Sequence, residues 1–256
     1  MALVIKSRAE IATMRESGRI TALALEAVMR AVRPGVTTGE LDKIAEDVIR
    51  THGAVPAFVG YPSLARSNCP FPATITTSIN DELVHGIPGR RQLKEGDILS
   101  IDCGCIHQGF VGDAAVTVGI GRVSAEAARL IKVTDEALRK GIELCVVGKR
   151  LGDISAAIQE HAESHGYNVV KEYTGHGVGR RMHEDPQIPN WGRRKHGMAL
   201  RPGMVFALEP MLMVGGPEVY VMPDAWTVVT KDHKLCAHCE HTLAITDAGP
   251  EILTLP

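Results

Sequence analysis

The sequence predicts an α+β fold built from two duplicated halves, with curved antiparallel sheets inside and helices outside. Amphipathic helical segments alternate with short apolar segments that are typical of strands. Helix and strand signals of the first half recur in the second half at a nearly constant offset. Acidic residues also fall at equivalent strand positions of the two halves, which indicates a polar centre shared between them.

The helices are predicted from their start and stop signals. Ser7-Arg-Ala-Glu10 is a capping-box pattern, and the helical spacing of apolar residues after it ends at Pro34-Gly35. A second helix is predicted from Thr38 to Gly53. Two more helices are expected near 124–146 and 152–165, and strands over 73–79, 97–103, 109–119, 168–173, 204–209, 219–230 and 241–246.

An internal duplication explains the order of these elements. Residues 35–53 match residues 148–166 at an offset of 113, and the apolar face of the helix is kept. Residues 93–102 match residues 200–209 at an offset of 107. The alternative is a chance recurrence of glycine stops and strand signals. We favour a duplicated helix–helix–strand unit.

Length and composition indicate a globular enzyme. The chain is predicted to form a single catalytic domain, residues 1–256, with repeated halves at approximately 7–120 and 121–250. A net charge of −2 gives no electrostatic footprint for DNA or for a membrane surface. No run approaches the ~18 apolar residues of a membrane span, and the N-terminus lacks the basic region of a signal peptide. We therefore expect a cytoplasmic protein with no membrane partner and no DNA partner.

The six cysteines suit reduced thiols. Cys236 and Cys239 have C-x-x-C spacing, which could be a redox pair or half of a zinc site that Cys103 and Cys105 complete. The pair lies in a strand-like run, and the chain has no second C-x-x-C motif. Incidental small thiols are the interpretation that we favour.

Four carboxylates and one imidazole stand in apolar or glycine-rich contexts: Asp102, Asp113, His176, Glu209 and Glu240. A buried carboxylate is costly unless a positive charge compensates it, and no Lys or Arg lies near these residues in the sequence. Hydrogen-bonded core acids are the alternative interpretation. Metal ions would compensate all of them, and carboxylate oxygens with one imidazole suit Mn²⁺, Fe²⁺, Co²⁺ or Zn²⁺.

The number of these side chains predicts two metal ions. Five ligands are too many for one catalytic zinc with an open position, but they fit two divalent ions about 3.5–4 Å apart that share a water. Asp102 and Glu209 hold equivalent positions in the matched strands, so a pseudo-two-fold axis would bring them face to face. Such a centre supports hydrolysis without a protein nucleophile, and no G-x-S-x-G, P-loop or H-E-x-x-H motif is present.

Two further histidines, His85 and His183, lie beside the segments that carry these candidate ligands. A histidine in a turn is commonly a surface residue, which is the alternative here. Their positions favour a role in donating hydrogen bonds to a scissile amide or to its tetrahedral intermediate.

These motifs resemble those of type I methionine aminopeptidases in their short bacterial-style form, over essentially the whole chain. The resemblance implies the pita-bread (creatinase/aminopeptidase-like) fold. Only 33 residues separate His176 from Glu209, which leaves no room for the helical insertion of the type II enzymes. The specific motifs are Ser78-Ile-Asn80, His85-Gly-Ile-Pro88, Asp102-x-Gly104, Gly112-Asp113, Gly175-His176-Gly177, His183-Glu-x-Pro186, Leu208-Glu209-Pro210 and Cys239-Glu240-His241-Thr242.

The resemblance implies a dinuclear-metal aminopeptidase. It would remove the initiator methionine from nascent proteins whose second residue is small and uncharged, by attack of a metal-bridging water on the first peptide bond. Asp113 and Glu240 would bridge two ions of Co, Mn, Fe or Zn, Asp102 would hold one ion, and His176 with Glu209 would hold the other. Glu209 would also accept the proton of the attacking water.

The same resemblance implies that His85 and His183 bind the peptide and stabilise the oxyanion, and it implies a monomer. The 62–70 loop is longer than we expect from the family. The basic run Arg193–His196 is either a solvated loop or a transient contact with ribosomal RNA. The wall of the methionine pocket would consist of Phe58, Tyr61, Phe71, Thr76, Met182 and Trp226.

Two other functions are weighed against this one. A dipeptidase or amidohydrolase on the same scaffold would cleave X-Pro or other amide substrates, but no N-terminal domain of the kind that X-Pro peptidases have precedes the catalytic unit. A peptide-binding module with an inactive site would lack bound metal, and the intact set of five ligand positions disfavours it.

Overall fold

The fold is described from a computed structural model, which covers residues 3–63 and 68–256. Its helices are α1 (Arg8–Ala31), α2 (Thr38–Thr51), α3 (Ala125–Glu143) and α4 (Leu151–Ser164). Its strands are β1 (Val55–Pro56), β2 (Ile75–Ile79), β3 (Glu82–Val84), β4 (Ile98–His107), β5 (Phe110–Gly119), β6 (Asn168–Val169), β7 (Thr174–Gly177), β8 (Glu184–Pro189), β9 (Val205–Leu208), β10 (Met211–Met213), β11 (Val219–Val221), β12 (Val228–Thr230), β13 (Cys236–His238), β14 (Glu240–Thr246) and β15 (Gly249–Ile252). Residues 64–67 of the predicted 62–70 loop lie outside the described residues.

A nine-stranded sheet organises the molecule. Its order is β1-β4-β5-β14-β9-β7-β8, with β2 paired to β4 and β15 paired to β14. Two three-stranded sheets, β13-β10-β6 and β11-β12-β3, accompany it. Every pairing of these strands is antiparallel, and helices α1 and α3 pack against the large sheet. The predicted α+β class with antiparallel sheets is confirmed.

Side chains cap the starts of the predicted helices. The hydroxyl of Ser7 accepts the N–H of Glu10, whose carboxylate accepts the N–H of Ser7 in return. Thr37 and Glu40 form the same reciprocal box at α2. Such caps satisfy backbone donors that a helix start otherwise leaves unpaired, which is why both helices begin where the sequence predicts. None of the helices in the described part of the chain combines the length and the hydropathy that crossing a bilayer requires.

The two helical pairs are related by the sequence offset. On α1 the buried positions include Ile20 and Leu25, and the positions 113 residues later, Val133 and Leu138, are buried on α3. The pair α1 and α2 builds one apolar core with strands of the first half, and the pair α3 and α4 builds another with strands of the second half.

Strand predictions are wrong at two places. The predicted strand 168–173 pairs only at Asn168–Val169. The predicted strand 219–230 is two strands, because Asp224 accepts the N–H groups of Trp226 and Thr227 and turns the chain between them. Seven further strands in the described ranges lie outside the predicted ones: β1, β3, β7, β8, β10, β13 and β15. In β7 and β8 the glycine and proline residues hide the alternation of apolar side chains.

Candidate active site

The register of β4, β5 and β14 places three acidic residues on one face of the sheet. Asp102 lies opposite Ala115, and Ala115 lies opposite Glu240 on its other side. Asp113 is two residues before Ala115 on the same strand. Because side chains alternate along a strand and residues directly opposite share a face, all three carboxylates point the same way.

The second half contributes two more residues to this face. His176 on β7 and Thr242 on β14 both lie opposite Ala207 of β9. Thr242 is two residues after Glu240, so Thr242, Ala207 and His176 share the face of Glu240. Glu209 is two residues after Ala207 and therefore lies on that face as well. The pairing of β14 with both β5 and β9 joins the two halves at this point.

The glycines beside His176 are required by close packing of the strands around β7. A Cβ atom at Gly175 would lie 2.6 Å from the carbonyl oxygen of Ala207, and one at Gly177 would lie 2.2 Å from that of Asp185. Only residues without a side chain fit there. The Gly-His-Gly motif therefore lets two strands approach the backbone while the imidazole enters the site.

The five side chains converge. Nε2 of His176 is 3.5 Å from Oε1 of Glu209 and 3.7 Å from Oδ2 of Asp113. Potential ligand atoms of Asp113, His176 and Glu240 all lie within 4.8 Å of one another. Burial raises the pKa of Glu209, and the charges of Asp113 and Asp102 add to the shift, which favours the sequence-based prediction that Asp102 and Glu209 approach one another.

Among the described residues, no lysine or arginine forms an ion pair with these carboxylates. Oδ1 of Asp102, Oδ1 of Asp113 and Oε1 of Glu240 are buried without a hydrogen-bond partner. In residues 3–63 and 68–256, the only ion-pair contacts of these acids and Glu209 are with histidines. Unpaired carboxylate oxygens around a shared point fit divalent cations.

Burial shifts the protonation of the whole cluster. It raises the pKa of Asp102, Glu209 and Glu240 well above the ordinary range, with mutual repulsion adding to it, and raises the pKa of Asp113 to about 7. It lowers the pKa of His176 to about 3, which keeps the imidazole neutral and able to bind a metal. A cation would favour the ionised carboxylates and so reverse their shifts.

The two additional predicted histidines lie next to this cluster. The ring of His183 is 4.2 Å from that of His176, and its Nδ1 is 2.5 Å from the hydroxyl oxygen of Tyr61. The backbone of His85 has a φ of 62°, a left-handed conformation that is strained for a non-glycine residue and common at functional sites. Burial lowers the pKa of His85 to about 4, so it is neutral near pH 7.

One residue of the site, His238, was not predicted. Its Nε2 is buried without a hydrogen-bond partner and lies 3.7 Å from Oε2 of Glu240 and 3.9 Å from Oε2 of Glu209. Burial lowers its pKa to about 3. The signal that could have found it is spacing, because His238 precedes Glu240 by two residues in a strand-like run and therefore shares its face.

The residues predicted for the methionine pocket form a row of apolar side chains beside the acids. Gly104 lies between this row and the acids. It is two residues from Asp102, and a Cβ atom at Gly104 would touch both Phe58 and Met182. Ring centroids of Phe58 and Phe71 are 6.3 Å apart, and Trp226 continues the row 5.0 Å from Phe71.

The row ends at the two histidines. The ring of Trp226 is 6.2 Å from that of His85, and the Tyr61 ring stacks edge-on against His183 at 5.3 Å. Thr76 lies directly opposite Asp102 in the pairing of β2 with β4.

The cysteines do not converge on a zinc site. Cys103 and Cys105 lie in the core of the first half, whereas Cys239 belongs to the core of the second half and Cys236 to a third cluster. Burial raises the pKa of Cys239 to about 12 and that of Cys236 well above its usual range, so neither forms a reactive thiolate near pH 7. The favoured interpretation of incidental core thiols agrees with this arrangement.

A family model decides the class of the protein. The model of metallopeptidase family M24 matches residues 12–247. The chain belongs to metallopeptidase family M24. Its predicted assignment as a hydrolase and a metallopeptidase is thereby confirmed.

Individual M24 relatives narrow this assignment. The chain is 53% identical over 254 residues to a methionine aminopeptidase of Clostridium acetobutylicum, and the alignment covers 99% of each chain. The crystal structure of methionine aminopeptidase from Rickettsia prowazekii superposes with a TM-score of 0.95 at 41% identity, covering 99% of this chain and 100% of that one. The methionine aminopeptidase structure from Thermotoga maritima gives a TM-score of 0.95 at 43% identity, covering 100% of both chains. The predicted resemblance to short bacterial methionine aminopeptidases and the predicted pita-bread fold are confirmed.

The electrostatics of this M24 site predict how Asp113→Asn changes stability in protein treated with a chelator. The pKa of Asp113 rises from an ordinary value of about 4 to about 7 on folding. The carboxyl group therefore stays protonated to a higher pH in the folded state than in the unfolded state. As the pH rises from about 4 to about 7, the aspartate progressively lowers the free energy of unfolding. Asparagine stays neutral and removes this cost, which is on the order of 4 kcal/mol above pH 7.

The measurement is the difference in unfolding free energy between the two metal-free proteins at pH 5 and pH 8. Asp113→Asn should raise the free energy of unfolding more at pH 8 than at pH 5. The titration of the histidines cancels in the difference because both proteins contain them. With saturating Mn²⁺ the sign should reverse, since the variant lacks one of the candidate ligands. An equal difference at both pH values would contradict the pKa of Asp113.

Proposed function

We propose that this chain removes the initiator methionine from nascent proteins whose second residue is small and uncharged. The observation that carries the proposal is the convergence of four buried or partly buried carboxylates and one neutral imidazole on one face of the sheet, with a row of apolar side chains beside them. Membership of family M24 and the similarity to methionine aminopeptidases support the same reaction.

The proposed cofactor is a pair of divalent ions of Co, Mn, Fe or Zn. Asp113 and Glu240 would bridge the ions, Asp102 would hold one, and His176 with Glu209 would hold the other. Bound ions would lower the pKa of a water and polarise the substrate carbonyl. The orphaned carboxylate oxygens described above fit this role, because each needs a positive partner.

The protein's own groups would do the remaining work. Glu209 has a raised pKa and could accept the proton of the attacking water and pass it to the leaving amine. If the Tyr61 hydroxyl donates to Nδ1 of His183, the ring carries its proton on Nε2, where it can donate to a developing oxyanion. His85, neutral and buried, would donate a second hydrogen bond to the peptide.

The apolar row would bind the methionine side chain. Phe58, Phe71 and Trp226 offer ring faces and edges, which attract a thioether, and Met182 is a flexible apolar neighbour. A slot of this kind excludes charged first residues. Small second residues are favoured in this proposal by the resemblance to the family.

A peptide panel tests the proposed function. With added Mn²⁺ or Co²⁺, Met-Ala-Ser should release free methionine, and a chelator should stop the reaction. Ala-Ala-Ser should be cleaved at least about 10–200-fold less efficiently, because even one methylene removed from an apolar pocket has that effect. Preferential cleavage of X-Pro peptides would favour the dipeptidase alternative, and absence of bound metal with no turnover would favour an inactive binding module.

Other aspects of this proposal concern the cellular setting. A cytoplasmic location, a monomeric state, the single catalytic domain and a ribosome contact at Arg193–His196 stay predictions. Within that basic run, Arg194 forms an ion pair with Glu160, and the N–H of Lys195 donates to the carboxylate of Asp153 at 2.8 Å. The loop is thus attached to α4, which leaves Arg193 and Lys195 as exposed side chains for an RNA contact.

A further inference from the structure

A second group of metal-binding side chains lies on helices α3 and α4 rather than on the sheet. Glu136 lies on α3, His161 on α4, and His165 at the C-cap of α4. Their potential ligand atoms all lie within 4.8 Å of one another, and all three residues are partly exposed. None of them contributes to the proposed active site.

Helix geometry creates the group. His161 and His165 are four residues apart and share one face of the chain at the end of α4, with ring centroids 4.5 Å apart. Nδ1 of His165 is 2.8 Å from the backbone carbonyl oxygen of His161, to which it donates. This bond keeps the proton on Nδ1 and leaves the lone pair of Nε2 free. A carbonyl in that place is the usual outer partner of a metal-binding histidine.

The contact between His161 and Glu136 has the spacing of two ligands of one ion. Nε2 of His161 is 3.3 Å from Oε2 of Glu136. The two atoms nevertheless form no hydrogen bond, and Nε2 is buried without a hydrogen-bond partner. Two ligands of a tetrahedral zinc ion, each about 2.05 Å from the metal, lie roughly 3.3 Å apart.

We propose that Glu136, His161 and His165 bind a borderline divalent ion such as Zn²⁺, which joins α3 to α4. Two imidazoles and one carboxylate form a known three-ligand set for zinc with water in the fourth position, and imidazole does not suit Mg²⁺ or Ca²⁺. Lys132 does not occupy the site, because its ammonium group is 3.7 Å from the other oxygen of Glu136 and its side chain is 74% exposed.

The first half of the chain contains a matched reference for this site. The offset of 113 places Leu23, Val48 and His52 at the equivalent positions. Nδ1 of His52 is 2.9 Å from the carbonyl oxygen of Val48, just as His165 contacts that of His161. The backbone-bonded histidine is therefore common to both halves, whereas the other two ligands occur only in the second half.

Calorimetric titration of the full chain with Zn²⁺ tests the proposal on four proteins: wild type, His161→Gln, His165→Gln and His52→Gln. Wild type and His52→Gln should bind one more Zn²⁺ per chain than His161→Gln and His165→Gln. If the latter two still bind that ion, their affinity for it should be lower by more than about 10–100-fold, the contribution of an outer partner alone. Zn²⁺ should also raise the Tm of the first two proteins by a larger amount.

Methionine release with saturating Mn²⁺ serves as the control for folding. It should be equal in all four proteins, because none of these residues belongs to the proposed catalytic machinery. The zinc stoichiometry does not depend on turnover, so the proposal can fail or succeed independently of the proposed function. Equal zinc stoichiometry and affinity in all four proteins would overturn it and leave Glu136 and His161 as an ordinary ion pair.

Discussion

Glu209→Gln should abolish methionine release while the protein stays folded. The amide cannot accept a proton from the attacking water, and positioned acid–base groups contribute about 10²–10⁴-fold to a rate. Glutamine also stays neutral at a position where burial, with repulsion from Asp113 and Asp102, raises the pKa of Glu209 and so costs stability. The metal-free variant is therefore expected to be at least as stable as the wild type, which separates loss of catalysis from loss of structure.

The measurement is kcat on Met-Ala-Ser at saturating Mn²⁺, together with metal content and Tm. Glu160→Gln is a matched control, since Glu160 carries the same side chain on the exposed surface and contacts Arg194. That control should keep full turnover. Glu209→Gln retaining activity near that of the wild type would remove the proposed proton acceptor.

Lys6→Met should lower the free energy of unfolding by about 3–5 kcal/mol, because it leaves a buried carboxylate without its cation. Nζ of Lys6 is 2.7 Å from Oε2 of Glu184, and the two side chains are only 4% and 5% exposed. The N–H of Lys6 also donates to the carbonyl of Gly203, so the pair attaches the start of the chain to the second half. Methionine keeps most of the apolar stem and removes the ammonium group, with its charge and its hydrogen bonds to Glu184 and to the carbonyl of Val4.

Urea unfolding measures this effect, and an exposed pair is the control. Arg15 and Glu251 form an ion pair in which the arginine side chain is 51% exposed, so Arg15→Met should cost only about 0–1 kcal/mol. The double variant Lys6→Met with Glu184→Gln should recover part of the loss, since no buried charge is left unpaired. A loss for Lys6→Met no larger than that for Arg15→Met would contradict the role assigned to the buried pair.

Much of the site could be predicted because its signals are local. An acidic residue in an apolar run indicates a buried charge wherever the run lies, and the Gly-His-Gly motif around His176 marks a close backbone approach. The cap at Ser7 and the stop at Pro34-Gly35 act within one turn of helix. These features depend only on residues that are close together in the sequence, so they can be predicted without the tertiary structure.

Other features had no local signal. His238 differs from an ordinary histidine only because the large sheet brings Glu209 and Glu240 to its ring. Lys6 forms its ion pair with Glu184, which lies 178 positions away in the sequence. Strand β7 has too few apolar side chains to be recognised before β8 and β9 flank it.

The sequence by itself therefore determined the fold class, the helices and the chemical kinds of side chain available for a metal centre. Tertiary structure alone decided which of those side chains meet, and it did so through strand register. A side chain's face follows from a period of two along its own strand, which is local. Its neighbours follow from which strands pair, and strands such as β5 and β14 that pair at the site lie far apart in the sequence.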